Sequence, residues 1–172
     1  MKSTSYMMGF ALGISFVAIF SIIALFVNRK RGVNKYDEMQ ERVRGVAYKY
    51  AFWAVIITEV VFGICAEAGN IIPMGVMTQH FCAIMIGILV HVVYSVWHDA
   101  YIGLNTNPKR YGILCGALAV INLANGIRGI LNGSMIVDGV LAFPFVNLVI
   151  GLVFIIIGVE MLIKKAIDSK QE

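Results

Sequence analysis

The sequence predicts an all-α integral membrane bundle of five transmembrane helices, with the N-terminus out and the C-terminus in. Three observations predict it. The 172 residues are 59% hydrophobic and only 14% charged, against roughly 25% charged in a soluble domain. Apolar runs long enough to cross a bilayer, which takes about 20 residues, occur five times. Twelve of the fourteen Lys and Arg residues fall in 29–49, 109–110 and 164–170, leaving only Lys2 and Arg128. A bias of that size marks one set of connections as inside. One membrane domain accounts for the whole length.

The first run, 6–27, is followed by the basic cluster "NRKRG". Only Lys2 precedes it and no small-residue cleavage site follows, so it reads as a retained span and not as a signal peptide. The second run, 51–72, carries Glu59 and Glu67 and closes on Pro73. After the Gly- and Pro-rich turn "GNIIPMG", the third run, 76–98, carries all three histidines, His80, His91 and His98. The fourth, 111–131, carries Asn122, Asn125 and Arg128; the fifth, 140–163, ends in "EMLIKKAIDSKQE".

Between the first and second runs lies a charged stretch, 35–50. Asn34 suits an N-cap, with Asp37 three residues on as a capping-box carboxylate. Met39, Val43, Val46 or Ala47, and Tyr50 recur at helical spacing. Glu38 with Arg42 and Glu41 with Arg44 pair across helical turns on the other face. Only Gly45 interrupts this pattern before the second span. One helix of about 50 Å, from about Lys35 to Asn70, is therefore expected. Its lower part is either an anchor at the headgroups or a docking face for a cytoplasmic or membrane protein partner, presented by Asp37, Glu38, Glu41, Arg42 and Arg44.

The stretch "YDEMQERVRGVAYKYAF" resembles the juxtamembrane Asp-Glu-x-Gln-Glu signature of small uncharacterised polytopic membrane proteins of Gram-positive bacteria. The matching residues are Asp37, Glu38, Gln40 and Glu41. The resemblance covers about twenty residues. It implies a bacterial plasma (inner) membrane protein and brings no activity with it.

Ionisable groups at membrane depth are costly and are functional candidates by default. Counting upward from Ala51 and from His98, Glu59 and His91 stand at matching levels, about 12 and 10 Å up. They are expected to face each other. Glu67 and Arg128 match near the outer boundary and suit a bidentate pair. The three histidines share one helix face but span about 27 Å, too far to ligate a single ion. Asn122 and Asn125 either bridge helices or line a polar cavity. The Gly9/Gly13 and Gly112/Gly116 patterns, continued by Gly126, Gly129 and Gly133, favour close helix packing and homo-oligomers.

No P-loop, GxSxG, HExxH or dinucleotide fingerprint occurs, and the basic residues lack the aromatic interleaving of a nucleic-acid surface. Cys65, Cys82 and Cys115 lie inside apolar runs and read as buried thiols. No catalytic residue, metal, cofactor or nucleic acid is expected. The reading is a ligand- or partner-binding, regulatory membrane module. The alternative is a small-solute or proton-coupled transporter using Glu59, His91, Glu67, Arg128, Asn122 and Asn125. An intramembrane enzyme ranks third.

Overall fold

The computed structural model describes residues 15, 19, 20, 22, 23, 35–69, 71–104 and 106–170. The chain divides into two units, Met1–Lys35 and Tyr36–Glu172. In the first, the five described positions from 15 to 23 are helical. The expected first span, 6–27, otherwise lies outside the described residues, as does Asn34. The second unit holds four helices long and apolar enough to cross a membrane.

Helix α1, Glu38–Glu67, joins the charged stretch to the apolar one without a break. Its 30 residues rise about 45 Å. The N-cap is Asp37: its side chain accepts the Gln40 N–H at 2.7 Å while the Gln40 side chain accepts the Asp37 N–H at 3.4 Å. That reciprocal box satisfies two of the orphan amides of the first turn. It sits three residues later than expected, with Gln40 in the carboxylate's place. Glu38 and Glu41 then lie in the first turn, where the helix dipole favours acids. Gly69, at φ +100, ends the helix and starts the turn.

Helix α2, Val76–Trp97, returns antiparallel to α1. It ends in a Schellman motif built on a non-glycine residue. Asp99 takes φ +57, its N–H donates to the Val96 carbonyl, and the Ala100 N–H donates to the Ser95 carbonyl. Helix α3, Pro108–Leu131, starts from Asn107, whose side chain accepts the Lys109 N–H, with Pro108 in the first turn.

Between α3 and the last helix stands a feature absent from the all-α expectation. Strands β1 (Ile136–Val137) and β2 (Val140–Leu141) pair antiparallel about Asp138 and Gly139, both at positive φ. Two such residues make the turn whose twist matches that of a hairpin. This ribbon ties to the α1–α2 turn: the Gly75 N–H donates to the Leu141 carbonyl and the Leu141 N–H to the Pro73 carbonyl. Helix α4, Pro144–Asp168, follows, so the fifth run starts its helix four residues later than expected.

The helices pack in the row α1–α2–α4–α3. One core cluster joins Val92 and Val96 of α2, Cys115 of α3, and Val153 and Ile157 of α4. The other joins Phe62 of α1 to Cys82 and Ala83 of α2. Among the described residues, four contacts need glycine. A Cβ on Gly87 would lie 2.4 Å from Val55, one on Gly126 2.3 Å from Leu148, one on Gly129 2.8 Å from Pro144, and one on Gly151 2.7 Å from Leu123. Large apolar side chains face outward along every helix, among them Trp53 at 53%, Ile113 at 73% and Leu162 at 69% exposed. Such surface suits acyl chains and not water.

Candidate functional site

Polar groups cluster at the end of the bundle where α1 begins, α2 ends, α3 begins and α4 ends. Lysine and arginine gather there too, and it is called the basic end below. Gln40 and Arg44, one turn apart on α1, reach across to the turn after α2. Gln40 Nε2 donates to the Asp99 carbonyl at 2.6 Å, with a longer contact to the Ile102 carbonyl at 3.4 Å. Arg44 Nη1 donates to the Ala100 carbonyl at 3.4 Å. The Arg44 guanidinium lies 4.2 Å from the Tyr36 ring centroid and 6.0 Å from that of Tyr48, a stacked position that suits its planar charge. Burial pushes the Tyr36 phenol up, against the pull of Arg44 in the other direction.

Asp99 also holds α4. Its carboxylate lies 3.1 Å from Lys164 Nζ, which reaches Asp168 at 2.7 Å. These hydrogen bonds, Asp168 first, raise the Lys164 pKa. Trp97 Nε1 donates to Glu160 of α4 nearby. Tyr101 packs under the joint, and burial pushes its phenol up. One residue in a strained backbone region thus joins α1 through its carbonyl, α2 through its amide and α4 through its side chain.

The expected Glu59–His91 pair does not form. Glu59 takes His80 instead, with Nδ1 at 3.0 and 3.1 Å from the two carboxylate oxygens. His91 stacks on Tyr48 at 4.3 Å between centroids, and its Nδ1 has no hydrogen-bond partner among the described residues. His80 and His91 both meet α1, at other levels than expected, while His98 turns to Tyr94 of its own helix. His80 and His91 are eleven residues apart, and their partners Glu59 and Tyr48 are eleven apart in the opposite direction, as an antiparallel hairpin requires. The residue level with the end of α2 is Gln40 and not Ala51, because the charged half of α1 runs alongside α2 instead of projecting below it.

The Glu67–Arg128 pair does not form either. The two residues are exposed, on helices at opposite flanks of the row, and no ion pair joins them among the described residues. Asn122 donates to the Leu118 carbonyl of its own helix at 2.8 Å, and Asn125 is exposed, so neither bridges helices among the described residues. Of the expected docking face, Asp37 is spent on the cap and Arg44 on the joint, while Glu38, Glu41 and Arg42 are exposed. Sequence reasoning missed Gln40, Asp99, Lys164, Tyr48 and His80 in these roles. The equal eleven-residue spacings were the one available signal for Tyr48 and His80.

A groove of about 1100 Å³ opens between α3 and α4 at the basic end. Gly112, Gly116 and Gly158 leave it empty among the described residues: a Cβ at any of the three would meet nothing within 4 Å. The register that sets Leu123 against Gly151 and Gly126 against Leu148 carries on to set Gly116 opposite Gly158. Two facing glycines remove the knobs that would close the helix pair. Val96, Ala119 and Phe154 line the apolar depth, and Lys109, Lys164 and Lys165 line the mouth. The Gly112/Gly116 pair therefore opens a space where close packing was expected.

Fold and site together define a multi-pass membrane protein built as a helical bundle. No family model, curated protein or solved structure matches this chain.

Proposed function

We propose that the chain is a five-span protein of the bacterial plasma membrane, N-terminus outside and C-terminus inside, that binds a ligand or partner within its bundle. The groove between α3 and α4 carries this reading. It is a half-open, mostly apolar space of about 1100 Å³, unfilled among the described residues, just above the roughly 300–1,000 Å³ of small-molecule sites. The orientation draws on the basic end, which gathers Arg42, Arg44, Lys109, Arg110, Lys164 and Lys165, the chemistry of a cytoplasmic face. The bacterial setting draws on the signature residues, of which Asp37 and Gln40 have defined structural work. Exposed Glu38, Glu41 and Arg42 remain available to a cytoplasmic partner.

The test fills the groove. Gly116→Leu/Gly158→Leu adds side chains where there is room for them. Purified wild-type protein should unfold at a higher temperature when bacterial membrane extract is added, and the filled variant should not respond. An equal shift in both would remove the binding reading. A second reading, proton-coupled transport, draws on the Glu59–His80 pair alone. Proton-coupled flux in liposomes that disappears in Glu59→Gln would favour it.

A further inference from the structure

We infer that the groove between α3 and α4 is a seat for one anionic phospholipid of the inner leaflet, an inference that rests on the binding reading above. The walls and the mouth ask for different halves of one molecule. From Lys109 at the mouth to Ala119 at depth is ten residues of α3, about 15 Å. That is half of a hydrocarbon core of about 30 Å, so the groove has the length of one leaflet's acyl chain. Gly112 and Gly116 on one wall and Gly158 on the other make it smooth enough for a methylene chain.

The mouth selects charge. Lys164 is already neutralised by Asp99 and Asp168. Lys109 and Lys165 are exposed, line the mouth and make no ion pair among the described residues. They stand on opposite walls, one in the first turn of α3 and one in the last turn of α4, and so can close on a headgroup phosphate from both sides. The first turn of α3 adds its positive dipole end. Two free ammonium groups facing each other across an apolar slot fit a lipid phosphate at the interface, where basic clusters recruit anionic headgroups. A zwitterionic headgroup would bring its own cation against both lysines.

The experiment is native mass spectrometry of the full chain in neutral detergent, with chain-matched phosphatidylglycerol and phosphatidylcholine in competition. Inorganic phosphate is added in a separate arm. The wild type should retain one phosphatidylglycerol with a preference on the order of tenfold. Lys109→Gln/Lys165→Gln should bind both lipids about equally, and Gly116→Leu/Gly158→Leu should bind neither. Equal binding of the two lipids by the wild type, lost on filling the groove, overturns the charge selection while the binding reading stands. Lipid retained by the filled variant overturns both. Displacement of the lipid by inorganic phosphate assigns the mouth to the free anion, and a dimer that dissolves on filling assigns the groove to a second copy; either result overturns the lipid seat.

Discussion

The Gln40 side-chain amide donates to the Asp99 backbone carbonyl at 2.6 Å, a contact that spans 59 residues of sequence. The signature stretch is thereby fastened to the end of the neighbouring helix. Its conspicuous charges are the smaller part of its work: Asp37 caps, Gln40 and Arg44 clamp, and the acids of the first turn meet the helix dipole.

Gln40→Ala removes both half of the capping box and the clamp. Each lost hydrogen bond is worth about 1 kcal/mol, so amide exchange over 38–44 should accelerate on the order of tenfold or more. Exchange over 55–62, held by Phe62 and the Glu59–His80 pair, should stay at the wild-type rate. Hydrogen–deuterium exchange by mass spectrometry reads both segments in one experiment, and uniform acceleration would contradict a local clamp.

Glu59 and His80 should be energetically coupled, and Glu59 and His91 should not. A double-mutant cycle with Glu59→Gln and His80→Asn, read by unfolding in mixed micelles, is expected to show about 0.6 kcal/mol or more. The cycle with His91→Asn should be additive within about 0.5 kcal/mol. The reverse ranking would restore the level-matching drawn from sequence.

Asp99→Asn keeps a residue tolerant of positive φ but loses the charge that meets Lys164, whereas Asp99→Val loses both. The valine variant should be the less stable by about 1–2 kcal/mol, the cost of a left-handed L-residue. Thermal unfolding in detergent ranks the two.

The basic end should loosen in alkali. Hydrogen bonds to Asp168 and then Asp99 lift Lys164 above its ordinary value of 10.5, and burial lifts Tyr101. A raised lysine pKa contributes stability at all pH values below 10.5 and loses it as pH climbs through the folded value. A phenol held neutral by burial acts in the same direction. Stability should therefore hold flat through neutrality with respect to these groups and fall above pH 10.0 for Tyr101 and above pH 10.5 for Lys164. Asp99→Asn/Asp168→Asn should make the fall shallower, as followed by near-ultraviolet circular dichroism.

Glycine should divide into two kinds along the α3–α4 seam. Gly126→Ala and Gly151→Ala force a methyl to within 2.3 Å of Leu148 and 2.7 Å of Leu123, and should each cost about 1–3 kcal/mol. Gly116→Ala meets nothing and should gain up to about 1 kcal/mol from helix propensity. Equal effects at the three positions would contradict the register.

Composition and apolar run length made the class of the fold legible, because lipid demands long apolar helices whatever the tertiary detail. The continuity of α1 was legible for a similar local reason: only Gly45 breaks its pattern, and Gly45 is accommodated. The pairings were not legible, because level in a hairpin depends on where the turn closes, and the shift of eleven residues found here moves a partner by about 16 Å. The β-ribbon was readable in principle from "IVDGVL", an Asp-Gly turn between apolar residues. The groove was not, since Gly116 and Gly126 are the same letter in sequence and take opposite roles only once Gly158 and Leu148 stand across from them.

Helix α1 buries only Ala47 and Phe62 and is gripped by polar contacts at two heights, Gln40 on Asp99 and Glu59 on His80. Nineteen residues of continuous helix separate those grips, about 28 Å. Between those grips Tyr48 stacks on His91 and Val55 closes on Gly87, so α1 lies fastened along α2 over that whole length. A partner that took hold of Glu38 or Arg42 would therefore load the α1–α2 pair together and not α1 alone.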